Sequence, residues 1–413
     1  NLEGHGREEL FDDIDLARTV GWFTTIYPVL LTTTGDTLAD DISTIKEQLR
    51  AIPNKGIGYG LLKYLGDVRI RTEAERQTAQ VSFNYLGQFD QALNRHSAFR
   101  FADEHAGADV DLNECRAHLL DVVGRVQAGR LSVVFYYSQT THREETITRW
   151  AEIFQDELTR LIEHCLMPNV GRLTPSDVPL SKLNAQGLEN VLTDVGSDQT
   201  PYRIAAIYRA SPLQAGTLVE SLKNPNSGVY ITQPVFVLQG ILDVGALEQA
   251  WRDVIAHFQI FRTAFSYQDR EQPLQVVWKS IDFTLQRHDW RAFNPETQAT
   301  RWQEFLAVAK RDGFDFNRAP LMSVALIRFA DDEYRLVWTH HHIILDGWSV
   351  PHVIDALNKS YEARRQGRSP RLGATEPYES YIKWLKAQDP SKAEVFWREY
   401  LRGVESKLPL PLT

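Results

Sequence analysis

Thr339-His340-His341-His342-Ile343-Ile344-Leu345-Asp346-Gly347-Trp348-Ser349 is the stretch whose reading decides the fold. Upstream of it, Tyr334-Arg335-Leu336-Val337-Trp338-Thr339 is short and rich in β-branched and aromatic side chains, as in one buried strand. Downstream, Ser349 is a good helix N-cap, Pro351 is tolerated in a first turn, and Val353, Leu357 and Tyr361 recur at four-residue steps. The histidines therefore stand where a strand end turns into a helix. If the strand runs through them, His340 and His342 point to one face and His341 to the other, so the three do not converge on a metal. No H-E-x-x-H pattern is present and the next residues are apolar, which argues against zinc. A G-x-S-x-G elbow, the mark of one class of serine hydrolase, is also missing.

A histidine at a strand terminus facing a cleft, with Asp-Gly four residues on, fits acyl transfer. The imidazole can take a proton from an attacking amine or hydroxyl, or orient it and stabilise the developing charge. Asp346, beside a glycine turn, is read as a lock on local geometry, with Arg262 as its candidate counter-ion. The competing reading is a buried, hydrogen-bonded strand end with no chemistry. Four fixed positions in a strand-loop-helix context favour function.

A length of 413 residues allows two to three domains, and 43% hydrophobic with 24% charged residues is ordinary globular composition. No apolar run is long enough for a membrane helix, and no signal peptide or initiator Met opens the chain. The chain is expected to be a piece of something longer. Cys115 and Cys165 lie far apart without metal spacing, which fits a reducing, cytoplasmic setting. The net charge of -9 is concentrated in residues 1–200, and neither half has the basic excess that a nucleic-acid backbone requires.

The surrounding chain reads as layered α/β structure. Asp40 to Leu49 carries helical spacing, and Val81 to Gln88 alternates like a strand. Leu131 to Ser138 reads as a second strand before an amphipathic helix at Thr146 to Cys165. Gly56-Ile57-Gly58-Tyr59-Gly60 lacks the spacing of a phosphate loop and reads as a structural turn. Proline and glycine punctuate residues 171–205, which are expected to form a linker. After it, Asp243 reads as the N-cap of a helix bearing Leu247, Trp251, Val254 and Ile255. Strands follow at Gln275 to Trp278 and Val324 to Phe329, and closing helices at Glu379 to Ala387 and Ala393 to Leu401.

His341-His342-Ile343-Ile344-Leu345-Asp346-Gly347 resembles the signature of nonribosomal peptide synthetase condensation domains. Ser211-Pro212-Leu213-Gln214-Ala215-Gly216-Thr217-Leu218 resembles their opening motif, in the form of members that take a D-configured donor and an L-configured acceptor. The first half resembles the related epimerization domains through Glu3 to Glu8 (EGHGRE), Arg18 to Thr24 (RTVGWFT), Pro53 to Gly60 and Asn84 to Gly87 (NYLG). The resemblance implies residues 1–170 as an epimerization-type C-terminal lobe and 206–403 as a condensation-type N-terminal lobe, with 404–413 starting an interlobe linker. Each lobe is expected to be similar to chloramphenicol acetyltransferase.

By the same resemblance His342 is the condensation histidine, acting as base or as positioner of the acceptor α-amine. His341, Asp346, Gly347 and Arg262 support it, Gly347 by presenting backbone near the reacting carbonyl. In the first half Glu3 and Tyr85 are the implied catalytic groups of α-proton transfer, with Asn84 in support. Upstream and downstream carrier proteins are the implied partners, bringing aminoacyl and peptidyl thioesters on phosphopantetheine arms, with no cofactor bound directly. No second H-H-x-x-x-D-G precedes Glu3, so the partner lobe of each half is expected to lie elsewhere and the isolated chain to be weak or inactive. Two other readings are a non-catalytic scaffold that docks carriers and a stand-alone acyltransferase.

Overall fold

The structure, a computed structural model, describes residues 1–4, 14–16, 18–76, 79–88, 107, 115–127, 129–168, 170–197, 200 and 203–404. His5 to Glu8 of the first motif and residues 405–413 lie outside them. The chain divides into two units, Asn1–Arg172 and Leu173–Thr413. Both are sheets combined with helices, so the mixed α/β class predicted from the sequence holds. No helix among the described residues is long and apolar enough to cross a membrane.

In the first unit β1 (Leu2–Gly4), β2 (Thr25–Tyr27), α1 (Leu38–Arg50), α2 (Ile57–Leu65) and α3 (Val68–Arg76) precede β3 (Val81–Gln88), β4 (Leu120–Gln127), β5 (Arg130–Tyr137) and α4 (Glu144–Leu166). The strands form one sheet in the order β2-β1-β3-β4-β5, with β3 parallel to both β1 and β4. Ile147 of α4 buries against Leu120 and Val122, which fixes the helix-covered face of that sheet. The glycine-rich stretch, expected as a structural turn, is one only up to Gly56, where the turn Pro53–Gly56 ends; Ile57-Gly58-Tyr59-Gly60 already form the start of α2. Gly56 has φ +83°, and a Cβ there would fall 2.2 Å from the Tyr27 ring, so only glycine fits.

The second unit comprises α5 (Ala185–Asp194), β6 (Ile204–Arg209), α6 (Pro212–Lys223), β7 (Ile231–Thr232), β8 (Val235–Gln239), α7 (Val244–His257), β9 (Thr263–Ser266), β10 (Leu274–Trp278) and β11 (Gln286–Asp289). It ends with α8 (Pro295–Asp312), β12 (Met322–Arg328), β13 (Glu333–His341), α9 (Val350–Arg365), α10 (Tyr378–Ala387) and α11 (Pro390–Tyr400). A small sheet runs β6-β10-β9. In the larger one β13 is central: β12 pairs along one edge, and β8 and β7 share the other. Asp243 caps α7 by accepting the Ala246 N–H at 2.9 Å, as its position predicts. The α7 stripe then buries Trp251 against Trp338 of β13, with ring centres 5.4 Å apart. Asp253 of α7 accepts two N–H groups of the Arg364 guanidinium, at 2.6 and 2.7 Å, and the Ser360 hydroxyl, which ties α7 to α9.

Of residues 171–205, expected as a linker, the described ones from Leu173 on belong to the second unit and include packed helical structure. Leu188, Val191 and Leu192 of α5 are buried with Ile204, Ile207, Leu274 and Val276 of the small sheet. The proline and glycine positions bound short helical turns, and the apolar spacing between them does the packing. Leu188→Ala should therefore lower the unfolding free energy by about 2–5 kcal/mol, the cost of emptying a core site. Urea unfolding of the chain measures it, and a change within about 0.5 kcal/mol would instead mark an unpacked connector.

Candidate functional site

Strand β13 runs through His341 and stops, so the alternation that would have put His342 on the face of His340 does not reach it. A turn sets the direction of His342 instead. The Ile344 N–H bonds to His341 O at 3.2 Å, and the His342 N–H bonds to Tyr230 O at 2.7 Å. Tyr230 holds that carbonyl in place from a left-handed conformation, φ +60°, which costs a non-glycine residue about 1–3 kcal/mol.

The three histidines then have three surroundings. His340 is buried and lies on the Trp338 ring, centroids 4.4 Å apart. His341 is buried with Nδ1 accepting the Ile343 N–H at 3.1 Å. Its proton must then be on Nε2, which donates to Ser221 Oγ at 3.0 Å, and that hydroxyl donates to Thr217 O at 2.8 Å. His342 makes its Nδ1 contact with Leu345 O. A carbonyl can only accept, so the neutral His342 ring is protonated on Nδ1 and keeps its lone pair on Nε2.

His342 lines a cavity of about 1060 Å³ with Ser211, Gln214, Tyr230, Arg262 and Asp346. Asp346 Oδ1 accepts the Ser349 N–H at 2.9 Å and the Ser349 hydroxyl at 2.6 Å. These bonds hold its carboxyl below the ordinary range. The lock on local geometry is thus real, but the expected Asp346–Arg262 ion pair does not form. Arg262 spends its donors on the carbonyls of Ile255, Ala256, Trp278 and Lys279. Ile255 and Ala256 belong to the last turn of α7, where carbonyls lack helical partners and a cation is favoured. Ser349, expected to cap α9 with its side chain, makes no such bond; it is itself held by Asp346. Gly347 has open space where a Cβ would stand.

Gln214 is the residue that motif reading passes over. Its side-chain carbonyl accepts the Ser211 N–H at 2.9 Å, while Ser211 Oγ accepts the Gln214 N–H at 3.2 Å, a capping box at the start of α6. The S-x-x-Q spacing announces that box in the sequence, but not the contact its side-chain NH₂ makes with Ile343 O at 3.2 Å.

In the first unit Leu2 is in register with Phe83 on parallel neighbours. Glu3 therefore lies level with Asn84 and on the same face, while Tyr85 falls on the opposite one. Val122, in register with Phe83, and Gly124, in register with Tyr85, place that second face on the α4 side. Of the residues the resemblance implies, the sheet thus sets Glu3 and Asn84 on one face and Tyr85 on the other.

Residues 1–179 and 204–413 both match the Condensation domain family, and the chain belongs to that family. It is 42% identical over 405 residues to one of the linear gramicidin synthase proteins of Brevibacillus parabrevis, covering 98% of this chain and 8% of that protein. A second protein of the same synthase is 40% identical over 419 residues, 100% of this chain and 5% of its own length. Bacitracin synthase 3 of Bacillus licheniformis is 36% identical over 420 residues, 99% of this chain and 6% of its own length. The chain thus spans a small fraction of each of these relatives. Among solved structures, the starter condensation domain of rhizomide synthetase aligns over 49% of each chain at 20% identity and a TM-score of 0.44.

Burial lowers the pKa of both His340 and His341 to about 4, with the neighbouring histidines adding to it. Unfolded, each would titrate near 6.5, so between these values the unfolded chain binds more protons than the folded one. Stability should thus be full above about pH 6.5 and fall as pH drops toward about 4. Urea midpoints at about pH 7.5, 6 and 5 check this, and His340→Phe should make the fall shallower.

Proposed function

We propose that the second unit supplies the histidine wall of an amide-forming condensation site in a nonribosomal peptide synthetase. The observation that carries this reading is the His342 ring, its proton committed to Leu345 O and its Nε2 lone pair left on a ring that lines the cavity. A neutral imidazole fixed in that tautomer can accept a proton from an acceptor ammonium or amine as it attacks a thioester carbonyl, or hold the amine in line for attack. The nitrogen–carbon bond forms, the carbon–sulfur bond breaks, and the thiol leaves with a proton. Membership of the Condensation domain family supports the same class of reaction.

The donor is a peptidyl thioester and the acceptor an aminoacyl thioester, each on the phosphopantetheine arm of a carrier protein, with no cofactor bound by the chain itself. Family membership also supports an acetyltransferase-like organisation of each lobe. The first unit belongs to an epimerization site acting on the same peptidyl residue. Glu3 moves the α-proton there and Asn84, level with it, steadies the substrate. The motifs at residues 18–24, 53–60 and 84–87 support this assignment. A D-configured donor follows, because the epimerised residue is what the next condensation consumes.

In the synthetase carrying this chain, His342→Ala should slow peptide-bond formation between preloaded carriers by about 10²–10⁴-fold, the worth of a positioned acid-base group. Rapid-quench assay of the carrier-bound product measures it. An unchanged rate would leave the chain as a carrier-docking scaffold.

A further inference from the structure

We infer that Gln214 is a positioning residue for His342, acting through the carbonyl of Ile343; the inference rests on the condensation reading above. Gln214 is buried at 7% exposure and is among the residues that line the cavity. All three polar positions of its amide are used. The oxygen accepts the Ser211 N–H, and the nitrogen donates to Gln275 Oε1 at 3.1 Å and to Ile343 O at 3.2 Å. The amide orientation follows from chemistry: rotated by half a turn, it would put oxygen against two oxygens. Gln275 is fully buried on β10 and anchored by its own NH₂ group to Arg209 O at 3.4 Å. A chain of side-chain amides thus runs from the small sheet to the residue that follows His342.

Ile343 is the peptide that this clamp can turn. Its N–H, in the peptide plane shared with His342, is held by His341 Nδ1; its C=O is held by Gln214 in the next plane, whose other end, the Ile344 N–H, bonds to His341 O at 3.2 Å. Tilting that second plane would move Leu345 O, the acceptor that orients the His342 ring. The Ser211 side of the same amide starts α6, and Ser221 on α6 bonds to His341. One glutamine thereby couples the beginning of α6 to the turn that carries the reacting ring. Misplacement of a catalytic group by about 1 Å costs about 10²-fold in rate.

The test uses the full synthetase with preloaded carriers and a double-mutant cycle. Gln214→Met keeps the length and removes both donors. It should lower the single-turnover rate of peptide-bond formation by about 10²-fold while the acceptor concentration for half-maximal rate changes little. In a His342→Ala background the same substitution should cost nothing further, because nothing is left to position. An undiminished loss in that background overturns the inference and leaves the condensation reading intact. A His342→Ala enzyme as fast as the wild type overturns the condensation reading itself. If Gln214→Met does not fold, Gln275→Met removes the acceptor that aims the clamp. Its loss must likewise vanish when His342 is Ala, and persistence there overturns the inference.

Discussion

The turn from His341 to Leu345 is held by bonds that its own residues and their immediate neighbours make, and the site depends on that closure. The His341 ring holds the Ile343 N–H, and the Leu345 carbonyl holds the His342 ring. Buried Ile343, Ile344 and Leu345 then seat the turn in the main core. Each bond is worth about 0.5–1.5 kcal/mol net, too little to impose a conformation alone. Together with three buried apolar side chains they leave His342 one ring orientation, and with it one tautomer. The strained carbonyl of Tyr230 belongs to the same arrangement, since it takes the His342 N–H.

Arg262 and Asp346 show how local accounting can outrank an attractive ion pair. A buried guanidinium needs acceptors for five N–H groups, and the C-terminal carbonyls of α7 need donors. Those needs meet at Arg262, while Asp346 finds two donors within its own loop at Ser349. Opposite charges along one cavity therefore serve separate structural ends, and the cavity rim carries a carboxylate that Arg262 does not neutralise.

Much of the fold is legible because its signals are local. The β-branched run at 334–339, the Asp243 cap and the helical spacing at 146–165 each specify an element without help from elsewhere. Helix α8 escapes such reading, since it buries no residue fully and its Trp302, Phe305 and Leu306 form a narrow stripe; its Asn294-Pro295 start is the available signal. The packed segment from Leu173 reads as a linker because proline and glycine report where helices end and not what lies between them. At the site, His342 and Asp346 are legible. Tyr230, Gln214 and Gln275 are not, because their contributions run through backbone groups and through partners distant in sequence. The faces of Glu3 and Tyr85 likewise require strand register, which no motif supplies.

Gly347 has neither a left-handed backbone nor a neighbour that would meet a side chain. Folding of the second unit therefore exerts no claim on that position, in contrast to Gly56, where the Tyr27 ring does. A residue released from the demands of its own fold is available to answer to whatever occupies the space above it.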